Sequence, residues 1–297
     1  MGISEAYNTS GKIFTAVSQR YQPRLADQIR AIEEGDVTVV RGTYDHIEKL
    51  LDKIKVPYAT INSEEITPSL QTKVLFVNCK EYSSAPETQV VATKKYVENG
   101  GRLVSTDWAL SLVERAFPGT ITKTNSTGGN ESVEVEALSM VGQTLIGLNY
   151  AQCHPQWFLE SGSYVYTHGK NVTPIITSDA MNERYGSPNI AVGFRAGSGE
   201  VIHFISHLEA QQTKLKHKSD KEGLDEFLSK MKVEKTDDME EAKLAELEAA
   251  YSTLNTVAHL CVRTPLLGSG DFKSVMAAGS SIAAAGYSLN DYFDYKI

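Results

Sequence analysis

Short unbroken apolar runs alternate, through the first half of the chain, with stretches whose apolar residues return every three or four positions. Residues 36–41, 58–61, 73–78 and 102–105 have the β-branched, apolar character of strands. The run Val74, Leu75, Phe76, Val77 has no polar interruption, as expected of a strand covered on both faces. Between these lie segments of helical period. Residues 44–54 place Ile47, Leu50, Leu51 and Ile54 on one face, and residues 88–99 stop at Gly100 and Gly101, where a positive φ closes a helix. Residues 109–116 form the next helix, closed by Pro118 and Gly119, and residues 24–32 form an earlier one with Leu25, Ile29 and Ile32 aligned. Strands and helices alternating at these spacings predict right-handed βαβ units and a three-layer α/β core around a flavodoxin-like, mostly parallel sheet.

The second half follows a different rhythm. Residues 122–130 are loop-like in composition. Residues 132–136, 144–147, 163–166 and 174–177 resemble short strands, and residues 190–195 and 200–206 form a hairpin across Ala196, Gly197, Ser198 and Gly199. Beyond residue 212 the charge pattern changes, from a basic, loop-like 213–221 to an acidic 234–248. The latter leads into a long helix carrying Leu244, Leu247, Tyr251, Leu254, Ala258 and Cys261 along one stripe. That stripe suits either docking onto the protein's own core or a seam with a protein partner or second subunit. The tail after Pro265 is rich in Ala, Gly and Ser and then aromatic, with Tyr287, Tyr292, Phe293 and Tyr295. The chain therefore divides into an N-terminal helical segment (1–36), an α/β domain (37–212) and a C-terminal helical extension (213–297).

Composition narrows the classes of function. With 297 residues, 41% of them hydrophobic and 22% charged, the chain can bury a large core without staples. A net charge of −8 disfavours a general nucleic-acid or anionic-membrane surface. No apolar run approaches the length of about 18 residues that a membrane helix needs. Three scattered cysteines, Cys79, Cys153 and Cys261, form no disulfide framework and no C-x-x-C pair, which suits a reducing cytoplasm. Neither G-x-G-x-x-G nor a Walker loop occurs, so nucleotide binding through those devices is unsupported and no cofactor or metal ligand is assigned.

The candidate chemistry gathers at predicted strand ends, where open α/β sheets bind ligands. Thr106 and Asp107 end one strand just before a helix. They are either caps of that helix or, for Asp107, a general base or metal ligand. His207 is either a satisfied core histidine or part of a group with His203 and Glu209, which share one face if their strand runs straight, where imidazole with carboxylate can move a proton or bind a divalent metal. Cys79 follows an apolar strand, as a small buried residue or a group near the cleft. Arg41 could hold an anionic ligand beside Thr43, Asp45 and His46, of which Thr43 or Asp45 would cap the next helix. Trp108 and Trp157 line a pocket or the core. Cys153 and His154, adjacent on an extended chain, point to opposite faces.

The order of three segments resembles the class I glutamine-amidotransferase-like superfamily, with its intracellular-protease-like and trehalose-utilisation-type (ThuA-like) branches, over residues 37–212. They are Val74-Leu-Phe-Val-Asn-Cys79, Gly100-Gly-Arg-Leu-Val-Ser-Thr-Asp107 and Phe204-Ile-Ser-His207-Leu-Glu209. His154-Pro155 through Tyr166, with the Gly-Ser-Gly hairpin, is similar to the ThuA-like branch. The resemblance implies a Cys nucleophile at the strand-to-helix elbow and a His-x-Glu dyad that takes its proton; the elbow positions here hold Thr106 or Asp107. It therefore implies a non-catalytic scaffold acting in binding or assembly through its C-terminal extension. The alternative is a hydrolase or carbohydrate-processing enzyme using Asp107, His207 and Glu209, with or without a metal. A redox role through Cys79 is a third expectation.

Overall fold

The structure is a computed structural model that describes residues 3–148, 150, 154–209, 223–262 and 265–267. Cys153, the basic segment 213–221 and the Ala/Gly/Ser-rich and aromatic tail lie outside the described residues. The strands are β1 (Val37–Val40), β2 (Ala59–Ile61), β3 (Val74–Val77), β4 (Arg102–Thr106), β5 (Ile121–Ser126), β6 (Glu131–Glu134), β7 (Glu136–Ala137), β8 (Gln156–Leu159), β9 (Tyr164–His168), β10 (Thr173–Thr177), β11 (Asn189–Ala196) and β12 (Gly199–Phe204). The helices are α1 (Ile3–Tyr21), α2 (Pro23–Arg30), α3 (Glu48–Ile54), α4 (Glu87–Glu98), α5 (Leu110–Ala116), α6 (Met140–Ile146), α7 (Asp179–Tyr185), α8 (Leu224–Met231) and α9 (Leu244–Cys261).

Eight strands form the central sheet in the order β2-β1-β3-β4-β12-β11-β10-β7. The first five are mutually parallel, the flavodoxin-like arrangement, and β11, β10 and β7 extend the sheet antiparallel. Strands β1, β3, β4 and β12 are buried along their whole length, which explains their lack of apolar/polar alternation. Strands are added outward in opposite directions from β1 and from β3, so right-handed crossovers place α3 and α4 on opposite faces of the sheet. Helix α4 packs with α5, whereas α3 packs with α1 and α9. Two antiparallel ribbons, β5 with β9 and β6 with β8, stand apart from this sheet.

Helix α9 is buried on nearly every side and contacts α1, α3, α6, α8 and β8. The stripe that the sequence offered to either a core or a partner is enclosed within the chain itself: Leu247, Tyr251 and Leu254 are fully buried and Leu244 partly so. Helix α1 is absent from the sequence expectation because Asn8, Thr9, Ser10 and Ser18 interrupt its apolar stripe. Several of these polar groups are satisfied inside the protein. Thr9 Oγ1 donates to the Glu240 carbonyl (2.9 Å), Ser10 Oγ to that of Leu247 (3.1 Å), and Tyr7 Oη to that of Leu208 (3.2 Å).

Three local expectations are corrected. Residues 122–130 are not all loop, since β5 pairs with β9 as an exposed, polar ribbon whose composition imitates a turn. Residues 144–147 are not a strand but the last turn of α6. Ser139 caps its start, and Gly147 ends it at φ 69°. The Asn255 side chain donates to the Thr144 and Leu145 carbonyls there (2.8 Å each), a long-range cap no local pattern reveals. The helix expected over 44–54 begins only at Glu48, which leaves Tyr44 and Asp45 free to serve the site below.

Candidate functional site

The carboxyl ends of β1, β3, β4 and β12 open at one rim, and the segments beyond them bring Asp45, Cys79, Asp107 and His207 together. All four side chains are buried. Gly42 allows the exit from β1 to lie against that from β3, because a Cβ there would stand 2.6 Å from Asn78 Cβ and 2.7 Å from the Cys79 carbonyl oxygen. Thr43 N donates to that same carbonyl (2.8 Å).

Asp107 occupies the bend between β4 and α5 with φ 42°, a left-handed conformation whose cost for a non-glycine residue is on the order of 1–3 kcal/mol. Its carboxylate is anchored on both oxygens. Tyr164 N donates to Oδ1 (2.8 Å) and Ser163 Oγ to Oδ2 (3.0 Å). Neither Thr106 nor Asp107 caps the following helical turns through its side chain, so the capping alternative does not describe them. Thr106 Oγ1 instead donates to Asp45 Oδ2, and Asp45 Oδ1 accepts the Cys79 N–H (2.6 Å). Asp45 thereby ties the ends of β3 and β4 together rather than capping α3.

His207 lies between two carboxylates. Its Nε2 is 3.5 Å from Asp107 Oδ2 and its Nδ1 is 3.4 Å from Glu160 Oε1, while Cys79 Sγ is 3.8 Å from Asp107 Oδ2. Burial opposes charge on the imidazole, but hydrogen bonds with Asp107, Cys79 and Glu160 and the field of Asp45 outweigh it and raise its pKa far above the usual histidine range. Burial lifts the Cys79 thiol to about 11 and Asp45 to about 7. The hydrogen bond from His207 lowers the pKa of Glu160, whose side chain is half-exposed. The arrangement is thus an imidazolium surrounded by acids, reached from solvent on the Glu160 side.

The other sequence candidates fall in different places. Glu209 does not hydrogen-bond the His207 ring as the dyad implied: its Oε1 accepts the His46 N–H (2.8 Å), and it influences His207 through charge, its own pKa raised by burial. His203 does not share the site. The chain leaves β12 after Phe204, and His203 is fully enclosed, its Nδ1 2.9 Å from Ser105 Oγ and its ring edge-on to Tyr166. Burial depresses its pKa to about 3. Arg41 is engaged by Thr60 Oγ1 (2.7 Å) and Asn62 Oδ1 (3.3 Å), not by the site. Trp157 is core and donates to Ser252 Oγ (3.0 Å), and His154 lies at the surface beside Glu136.

Trp108 forms part of a wall at the mouth. Lys123 Nζ sits 3.4 Å from the Tyr164 ring centroid, Tyr164 stacks on Trp108 at 5.6 Å, and Tyr44 meets Trp108 edge-on at 5.0 Å. Tyr44 is 51% exposed. The Trp108 indole donates to the Gly162 carbonyl (2.9 Å), fixing it against the turn that carries Glu160 and Ser163. Asp45, Glu160, Ser163, Tyr164 and Tyr44 were not among the expected site residues. Asp45 carried a local signal, a carboxylate just past a buried strand, whereas the others reach the site through the turn between β8 and β9 or through loop geometry. Among the described residues, the Cys79, Asp107 and His207 donor atoms lie within 4.8 Å of one another, a set able to hold a metal ion.

No family model matches the chain, and no curated protein matches it. Among solved structures, a glutamine amidotransferase from Thermotoga maritima aligns with a TM-score of 0.46 at 12% identity, over 75% of this chain and 95% of its own. A glutamine amidotransferase from Methylobacillus flagellatus gives 0.45 at 12% over 77% and 93%, and a ThuA-like protein from Bacteroides uniformis 0.43 at 13% over 57% and 80%. A β-galactosidase from Rahnella sp. aligns at 0.44 and 13% over 59% of this chain, which spans 29% of that protein's length. No helix among the described residues is long and apolar enough to cross a membrane.

Proposed function

We propose that the chain is a hydrolase acting on a polar, ring-bearing small molecule, with carbohydrate as the first class to test. The observation that carries this reading is the placement of the His207 ring, 3.5 Å from buried Asp107 and 3.4 Å from half-exposed Glu160. A buried carboxylate that orients a ring, whose other nitrogen faces a solvent-side carboxylate, is a proton-handling arrangement. Glu160 accepts a proton from water as its oxygen bonds to the carbonyl carbon of an acyl ester on the ring, the positive centre behind it stabilises the oxyanion that forms, and the proton passes to the alcohol oxygen as its bond to that carbon breaks. Tyr44 and Trp108 offer an apolar edge against which a sugar ring can lie, with Glu81 and Glu160 nearby to accept its hydroxyls. Glu81 is held at this wall by the Tyr164 hydroxyl.

The bend at which the resemblance implies a Cys nucleophile carries Thr106 and Asp107, so glutamine hydrolysis is not the reaction proposed. Enclosure of Leu247, Tyr251 and Leu254 within the chain supports this reading over assembly through that helix. The test is turnover of aryl glycosides and aryl esters together with calorimetric titration of mono- and disaccharides. Glu160→Gln is expected to lower kcat at least 100-fold, and Tyr44→Ala to weaken sugar binding about tenfold. Absence of both turnover and saturable sugar binding in the wild-type protein would return the His207 cluster to a structural role.

A further inference from the structure

We propose that Cys79, Asp107 and His207 form a binding site for a divalent metal of the zinc class, with Cys79 Sγ, Asp107 Oδ2 and His207 Nε2 as ligands. The inference deepens the hydrolytic reading by naming its positive centre, and its measurement does not depend on turnover. The first argument is distance. Tetrahedral zinc with bonds of about 2.0–2.3 Å sets its donors about 3.4–3.6 Å apart. The two edges that meet at Asp107 Oδ2 measure 3.5 Å to His207 Nε2 and 3.8 Å to Cys79 Sγ. A charge-assisted hydrogen bond from the imidazolium would be shorter, at about 2.7–2.9 Å. The same spacing accommodates an ion once the Cys79 thiol and the His207 ring give up the protons they hold in its absence.

The second argument is the surrounding shell. A histidine ligand characteristically turns its other ring nitrogen toward a carboxylate, and His207 Nδ1 faces Glu160 Oε1 at 3.4 Å. The ligating carboxylate is itself oriented by Ser163 Oγ and the Tyr164 N–H. Asp45 binds the backbone of Cys79 and the side chain of Thr106, fixing both ligand-bearing segments from behind. The third is charge. Glu209, 8% exposed and two residues beyond His207, keeps Oε2 without a hydrogen-bond partner among the described residues, while its Oε1 accepts the His46 N–H. Thiolate, imidazole and carboxylate together suit a borderline cation, and three protein donors leave the fourth tetrahedral position open to water or substrate.

The full chain, stripped with a chelator and titrated with Co²⁺, is expected to bind one ion per molecule and to develop the near-ultraviolet thiolate-to-cobalt charge-transfer band; Zn²⁺ should abolish the band by displacement. Cys79→Ser should remove the band and thereby separate Cys79 from Cys153 and Cys261. Glu160→Gln, a change at a half-exposed position, should keep the stoichiometry while weakening affinity 10–100-fold, and it serves as the test should Cys79→Ser fail to fold. Absence of stoichiometric binding in the wild type, a band that persists in a folded Cys79→Ser protein, or unchanged affinity in Glu160→Gln would each overturn the inference. Metal binding without turnover would sustain it while removing the hydrolytic reading, and turnover by a protein that binds no stoichiometric metal would do the reverse.

Discussion

His203 and His207 stand four residues apart on the same strand exit and take opposite protonation behaviour. Burial without a countercharge holds His203 neutral, with its pKa near 3, whereas acids hold His207 charged. The unfolded chain protonates His203 below about pH 6.5 and the native protein does not, so this residue contributes stability above that pH and loses it as the solution is acidified toward pH 3. The slope is at most one proton, about 1.4 kcal/mol per pH unit. His203→Gln, which keeps a partner for Ser105, should therefore lose about 1.6 kcal/mol less than the wild type between pH 6.5 and pH 5 in urea denaturation. Equal losses in the two proteins would show that His203 is protonated when folded. At this scale the sequence was legible where a residue's role follows from its place after a strand: Cys79, Asp107 and His207 were each candidates for the cleft rim, beside core or capping alternatives. Glu160 was not, because its proximity to His207 arises from a turn 47 positions earlier, with no trace in local pattern. His203 was misplaced because strand alternation was extended past Phe204, where the strand ends.

Among the elements, the amino end of the sheet is held by a buried ion pair remote from the site. Arg102 on β4 and Glu200 on β12 are paired at 2.6 Å. Arg102 Nη1 also donates to the carbonyls of Leu260 and Val262 (2.6 Å each), at the end of α9, and Glu200 accepts the N–H groups of Leu266 and Leu267. The pair thus caps α9 and secures the chain after it. Removing one partner leaves a buried charge without its counterion, so Glu200→Ala should cost about 3–5 kcal/mol in denaturant unfolding, with the Cys79–His207 rim unaltered. A loss under 1 kcal/mol would mean that solvent replaces the carboxylate. None of this was legible in sequence, since Arg102 and Glu200 read as ordinary strand-end charges. Strands β1, β3, β4 and β12 were legible because continuous apolar runs leave no alternative period. The last turn of α6, by contrast, was mistaken for a strand because four residues ending in glycine suit either state.

At the level of the whole molecule, the three sequence segments contribute to one hydrophobic core, which runs from Ala6 through the sheet to Leu267. Helix α9 lies within it, against α1 and α3. A chain ending at residue 243 is therefore expected to lose cooperative thermal unfolding altogether, a result calorimetry reads directly. A transition surviving within a few degrees of the full-length value would show that the α/β unit stands alone. The βαβ order disclosed the sheet, but the depth of α9 was not evident, because Glu246, Glu248, Asn255 and His259 give it an amphipathic appearance that its surroundings do not share.

The chain's two indoles are divided between these regions, with Trp157 sealed in the interior and Trp108 at the cleft mouth. Their emission should therefore separate by colour, and a water-soluble quencher such as iodide should extinguish only the redder component. In Trp157→Phe the remaining light would come from the cleft alone, a built-in optical probe of whatever enters there.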